Sequence, residues 1–185
     1  MKTSAHDGVH FYVDDCVLQR LWNRPGRYLA RLTEYECVLG PDFSMFVDLP
    51  LVFNLWNLMR NRYLACAMQQ RGIPVIPSAC WGSYDSLEYC FDGLPEGGVI
   101  AINHSVVGHS ETQRQLYRAG VERLVATKRP DLLLVYGYEL TFDPGAICIT
   151  IHWPKCCKTP SKAQVSPCGI GCVQLTTNMY ITIEL

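Results

Sequence analysis

Residues 8–145 carry apolar positions in two alternating kinds of pattern. Short apolar runs read as strands: Val9-His10-Phe11-Tyr12-Val13, Cys37-Val38-Leu39, Ile73-Pro74-Val75-Ile76-Pro77, Gly98-Val99-Ile100-Ala101-Ile102-Asn103 and Leu132-Leu133-Leu134-Val135-Tyr136. The last two runs lack polar alternation, as expected where both faces of a strand are covered. Between the runs lie segments with helical spacing. One follows Asp14-Asp15 and places Val17, Leu18, Leu21 and Trp22 on one face; another starts near Pro25 with Tyr28, Leu29 and Leu32. The longest runs from about Leu49 to Gln70, with Asp48 as its expected cap and Gly72 as its stop. Asp85-Ser86-Leu87-Glu88 and Ser110-Glu111-Thr112-Gln113 have the form of capping boxes. Pro74 and Pro77 each remove a ladder donor, which predicts a sheet edge or an irregular strand end.

Strands that alternate with helices pair in parallel through right-handed crossovers. Five such units fall short of an eight-fold barrel, which takes ~250 residues. The predicted fold is therefore α/β, with repeated β-α units and a mostly parallel sheet of about five strands, open or curled into a partial barrel. After residue 145 the pattern changes. Ile147, Ile149, Ile151 and Trp153 alternate with Cys148, Thr150 and His152, and a second alternating stretch runs from Val173 to Ile183. They flank a loop rich in Cys, Pro, Gly and Lys over 154–172, a β-hairpin-like tail.

Composition marks the same break. Five of the ten cysteines fall in the last 40 residues, and all 11 arginines lie at or before Arg129. Residues 1–145 carry 13 Lys and Arg against 16 Asp and Glu; the remainder carries three lysines and one acid, Glu184. The organisation expected is an α/β domain over 8–145 and a Cys-rich tail over 146–185. Two explanations of the tail compete: an added hairpin, favoured by the clean alternation, and a shifted reading frame, favoured by the loss of arginine and acids. The net charge of −1 weighs against duplex DNA, which calls for a basic stripe. No apolar run approaches the ~20 residues of a membrane span, and no apolar segment follows Met1-Lys2-Thr3 as in a secretory signal. A cytoplasmic protein with reduced thiols is expected, its scattered cysteines serving as small buried hydrophobes.

In parallel α/β folds ligands bind outside the carboxyl ends of the strands. The residues there are Asp14 and Asp15; Asp42, Ser44 and Asp48; Cys80, Trp81 and Asp85; Asn103 and His104; Tyr138 and Glu139. Of these, Asp42, Asp85, His104 and Glu139 form the catalytic candidate set, able to share a divalent metal or to move protons. Helix capping accounts equally well for Asp14, Asp48 and Asp85. Trp81 reads first as cover for the core and second as a stacking platform for a base. Cys80, His104 and Asp42 end three strands and could make a nucleophile set, although cysteine is often merely buried. Asn54, Asn57 and Asn61 form one helical stripe beside Arg60 and Arg62, read first as a solvated face and second as groups that bind a ligand or bond to neighbouring loops. In the tail, His152, Cys156, Cys168 and Cys172 could hold a structural zinc. Phosphate-binding glycine motifs are absent.

These motifs together resemble a known family. His10-Phe11-Tyr12-Val13-Asp14-Asp15, Leu21-Trp22-Asn23-Arg24-Pro25, Pro41-Asp42-Phe43-Ser44, Trp56-Asn57, Arg60-Asn61-Arg62, Gly72-Ile73-Pro74-Val75-Ile76-Pro77, Trp81-Gly82, Phe91-Asp92-Gly93-Leu94-Pro95 and Val135-Tyr136-Gly137 are similar to domain of unknown function 4417. The resemblance covers about residues 8–145. It implies a microbial or phage protein, often borne on mobile DNA, and brings no established activity. It directs attention to Asp42, Ser44, Arg60, Arg62, Trp81 and Tyr136 as ligand-binding candidates. The leading expectation is a ligand or catalytic site at the strand carboxyl ends, with metal-assisted hydrolysis or nucleotide chemistry as its class. The rival is a non-catalytic mobile-element accessory protein that binds a host protein or single-stranded nucleic acid through Trp81, Arg60 and Arg62.

Overall fold

The apolar runs become short strands and the periodic segments become the helices that cover them. A computed structural model describes residues 8–105, 107–108 and 110–151, and the backbone of 172–174 and 180–182. In chain order the elements are β1 (Gly8–Val9), α1 (Asp15–Asn23), α2 (Pro25–Leu32), β2 (Cys37–Leu39), α3 (Leu51–Gln69), β3 (Val75–Ile76) and β4 (Ser78–Ala79). A 3-10 turn at Asp85–Glu88 follows, then β5 (Val99–Asn103), α4 (Glu111–Lys128), β6 (Leu132–Tyr136), β7 (Cys148–Ile151), β8 (Cys172–Gln174) and β9 (Tyr180–Thr182).

The pairings among β1 to β7 are all parallel. β1, β2 and β3 pair in one sheet, and β4, β5, β6 and β7 in a second. The run from Val75 to Ala79 serves both. The Ile76 carbonyl accepts from Gly40 N at 2.8 Å on one side, and the Pro77 carbonyl accepts from Ala101 N at 2.9 Å on the other. The expectation that the prolines mark a sheet edge or an irregular strand end holds: β3 is the outer strand of the first sheet and β4 of the second, and Pro77 sits at the seam between them, where its missing N–H leaves no donor unpaired.

Three apolar clusters result. One packs Leu18, Leu21, Leu29, Leu64 and Met68 of the helices onto Val9 and Val38. A second packs Tyr117, Val121 and Leu124 of α4 onto Ile100, Ile102, Leu133 and Val135. The third joins the two sheets through Tyr12, Leu39, Ala101, Leu134, Tyr136 and Ile151. β5 and β6 therefore send alternate residues to opposite sides, both apolar, which is why their sequences show no polar alternation. The described strands curl around the third cluster without closing into a barrel.

β7 runs parallel to β6, pairing Leu133 with Cys148 and Tyr136 with Ile151. It is the edge strand of its sheet, and its burial rises along the strand, from exposed Cys148 and Ile149 to buried Ile151. The antiparallel pair of the tail forms between β8 and β9, and β9 lies parallel to β1, with Ile181 beside Gly8. Among the expected caps, Ser110 accepts from Gln113 N at 3.2 Å. Pro50, not Asp48, occupies the cap position of α3, and neither Asp14 nor Asp85 caps through its side chain.

Candidate functional site

The segment from Phe43 to Phe46 leaves the end of β2 without a strand beside it, so its peptide groups need other partners. The asparagine stripe of α3 supplies them. Asn61 accepts from Phe43 N at 2.7 Å and donates to Phe43 O at 3.2 Å. Asn57 donates to Ser44 O at 2.6 Å, and Asn54 both accepts from Phe46 N and donates to Phe46 O at 2.8 Å. A primary amide carries a donor and an acceptor like a peptide group, so the three stand in for a neighbouring strand. All three are buried, which corrects their reading as a solvated face. Phe43 is thereby held in the core, and Asp42 beside it is fixed at the rim.

Asp42 is half-buried, and its Oδ1 is shut off from solvent without a hydrogen-bond partner. Burial pushes its carboxyl up to about 7, and the charge of Asp15 adds to the rise; the Cys80 thiol, the Asn103 amide and Arg62 oppose it. Asn103 Oδ1 accepts from Ser105 N and Oγ at 3.0 and 2.7 Å, which leaves its amide nitrogen for Asp42. Tyr12, Tyr117 and Cys80 respond to the same carboxylate: burial raises each of them first, and Asp42 raises them further. Tyr117 Oη and His10 Nε2 are likewise buried without partners. The His10 ring packs 4.6 Å from that of Tyr136 and accepts at Nδ1 from Tyr12 N at 3.2 Å; burial lowers it to about 3. Ser78 Oγ donates to Gly40 O at 2.8 Å, so the Tyr12 hydroxyl, 3.2 Å away, donates to Ser78. The rim thus combines a carboxyl able to change protonation near neutrality with neutral phenols and an uncharged imidazole.

The other sequence candidates sort by position. Ser44 donates through N and Oγ to Asp15 Oδ1 at 3.1 and 3.0 Å and ties the rim segment to α1. His104 stacks on Tyr117 at 4.8 Å, and its Nδ1 lies 2.9 Å from Tyr138 O. Cys80 Sγ donates to Phe43 O at 3.8 Å, and its raised thiol is a poor nucleophile. Asp85 and Glu139 are exposed, and no group of three or more His, Cys, Asp or Glu placed to hold a metal occurs among the described residues. Trp81 packs into the second cluster against Tyr117 and Phe91, and Tyr136 is buried in the third. The Arg60 guanidinium lies 3.6 Å over the Phe43 ring and donates to Gln19 and Asn57. Arg62 donates to the carbonyls of Asp92, Ser78 and Cys90, lining a cleft of about 680 Å³ between α3 and the Gly93–Pro95 turn. Residues 152–171, with His152, Cys156 and Cys168, and the side chain of Cys172 lie outside the described residues.

His10, Tyr12 and Tyr117 reach the site without having stood among its candidates. His10 and Tyr12 were legible only as members of a strand run, and Tyr117 only as one apolar residue on a helix face. The signal was the pairing of a polar atom with an apolar position.

A family model described as domain of unknown function (DUF4417) matches residues 1–154. The Gene 1 protein of Mycobacterium phage D29 is 40% identical over 129 residues, 70% of this chain and 48% of that protein. The Gene 1 protein of Mycobacterium phage L5 is 38% identical over 129 residues, 70% of this chain and 56% of its own. The chain spans about half the length of these curated relatives. No solved structure matches it.

Proposed function

Since the chain belongs to the DUF4417 family, which brings a phage kinship and no established chemistry, we propose that it takes a small polar ligand at the strand carboxyl ends, with Asp42 as its acid–base group. The observation that carries this reading is that Asp42 Oδ1 and the hydroxyl of Tyr117, a phenol on which the Asp42 charge acts, are both buried without partners. Buried polar atoms without partners are rare in folded proteins and call for a bound water or ligand. A carboxyl poised near 7 both donates and accepts at neutral pH, as acid–base work requires. Asn103 adds an amide, so a ligand with a mixed donor and acceptor edge, such as a nucleobase or nucleoside, fits the groups. Metal-assisted hydrolysis has less support, because no three-ligand group stands at the rim among the described residues. The accessory reading through Trp81, Arg60 and Arg62 has less as well: the indole is packed in a core, and the guanidinium heads are held by the protein's own groups.

The test is a thermal-shift screen of nucleobases, nucleosides, nucleotides and divalent metals on the full chain and on Asp42→Asn. A ligand at about 100 times its Kd stabilises by about 2.7 kcal/mol, several degrees in melting midpoint. The wild type should respond to one nucleobase or nucleoside, and the variant should not. An equal response from both proteins, or none from the wild type, removes Asp42 from the reading.

A further inference from the structure

α3 is built inside out. Its polar stripe faces inward, with Asn61 1% exposed, together with Leu58, Leu64 and Met68, while a second set of apolar side chains faces solvent, with Val52 66% and Phe53 51% exposed. The exposed apolar surface begins on the preceding loop at Val47 and continues through Leu51, Val52, Phe53, Leu55 and Met59. At one end it is braced by Trp56 and Tyr63, packed edge-on against Trp22 at 5.5 and 5.6 Å. The ten large apolar side chains exposed between Phe46 and Tyr63 present roughly 1,000 Å², where a monomer's largest patch is ~300–600 Å².

The helix has one face for its own chain and one left over. The asparagines satisfy the 43–46 segment, and nothing among the described residues covers the opposite side. We infer that this face of α3 is the contact between two copies of the chain, α3 against α3 about a two-fold axis. Three observations select a second copy. The area matches the ~800 Å² that each partner contributes to a stable interface. The face is nearly free of charge: from 46 to 63 the charged residues are Asp48, Arg60 and Arg62, and both arginines are engaged by their own chain. An isologous contact sets residue i against j and j against i within one self-complementary patch, so an uncharged face pairs with itself without repulsion. A lipid surface, in contrast, is gripped by apolar helices with free Lys and Arg on the flanking face, and the two arginines of α3 are held by the chain's own groups. The 19 residues of α3 give a rod of about 28 Å, long enough for several turns of each helix to interdigitate.

The experiment is sedimentation equilibrium of the full chain at micromolar concentration under reducing conditions, so that no disulfide joins the copies. The wild type should have twice the mass of the monomer. Val52→Glu and Phe53→Glu, each at an exposed position and so expected to fold, should weaken association by ~100-fold or more, since each buries an unpaired carboxylate at the contact. Their helical circular dichroism should stay that of the wild type, separating lost association from lost folding. A monomeric wild type overturns the inference, as does a dimer that both variants leave intact. Sedimentation of a monomeric wild type with anionic phospholipid vesicles would overturn it in favour of a lipid surface.

Discussion

Two buried titratable residues oppose each other across the middle of the pH scale. Asp42 is lifted from its ordinary 3.8 to about 7, so the fold favours its protonated form; its contribution is complete below about pH 4 and declines as pH climbs towards 7. His10 is lowered from 6.5 to about 3, so the fold favours its neutral form; its contribution is complete above pH 6.5 and is lost as pH falls towards 3. Between about pH 4 and 6.5 the two slopes have opposite sign and nearly cancel. The melting midpoint of the wild type should therefore show little dependence on pH in that window. Asp42→Asn removes one slope, and its stability should rise with pH by up to about 1.4 kcal/mol per unit there. Melting curves at half-unit steps check this; a variant profile as flat as the wild type's would mean that Asp42 titrates as an ordinary surface carboxylate. Asp42→Asn should also be the more stable protein at pH 8, because it removes the burial of a charge.

Among the elements, α4 shows most clearly how a side chain dictates a helix. A Cβ placed on Gly120 would lie 2.1 Å from Trp81 Cε2 and 2.2 Å from its Nε1. The indole is packed against Tyr117 and Phe91. Gly120→Ala gains up to ~1 kcal/mol of helix propensity but overpacks a rigid ring, so a net loss of about 2 kcal/mol is expected. A urea unfolding midpoint measures it, and a midpoint at or above the wild type's would show that the ring yields. α3 teaches a different lesson. Its length and position were legible from the spacing of apolar residues, but its orientation was not. A polar stripe normally faces water, and only the strandless 43–46 segment, whose peptide groups need partners, turns Asn54, Asn57 and Asn61 inward. That need is set by a loop conformation, which no local periodicity encodes.

For the molecule as a whole, the order of strands and helices from β1 to β6 could be read from the sequence except for β4, because Ser78-Ala79 lies beyond the Ile73–Pro77 run and has no apolar run of its own. Asp42 and Cys80 could be placed at the rim because strand ends are fixed by topology. The partners that give Asp42 its character could not, since Tyr12 and Tyr117 reach it from elements far apart in the chain. The edge strand β7 was hidden for a related reason: its alternation fits a hairpin and a sheet edge equally, and only the pairing of Tyr136 with Ile151 decides. The seam at Pro77 has one more consequence, visible in hydrogen exchange. Proline has no amide proton, so the centre of the joined sheets is silent, and its two sides are reported separately, by Gly40 N bonded to Ile76 and by Ala101 N bonded to Pro77. Equal free energies of opening at Gly40 and Ala101 would mean that the sheets open as one cooperative unit, as a shared third cluster implies; unequal values would divide the protein into two units that meet at an imino acid.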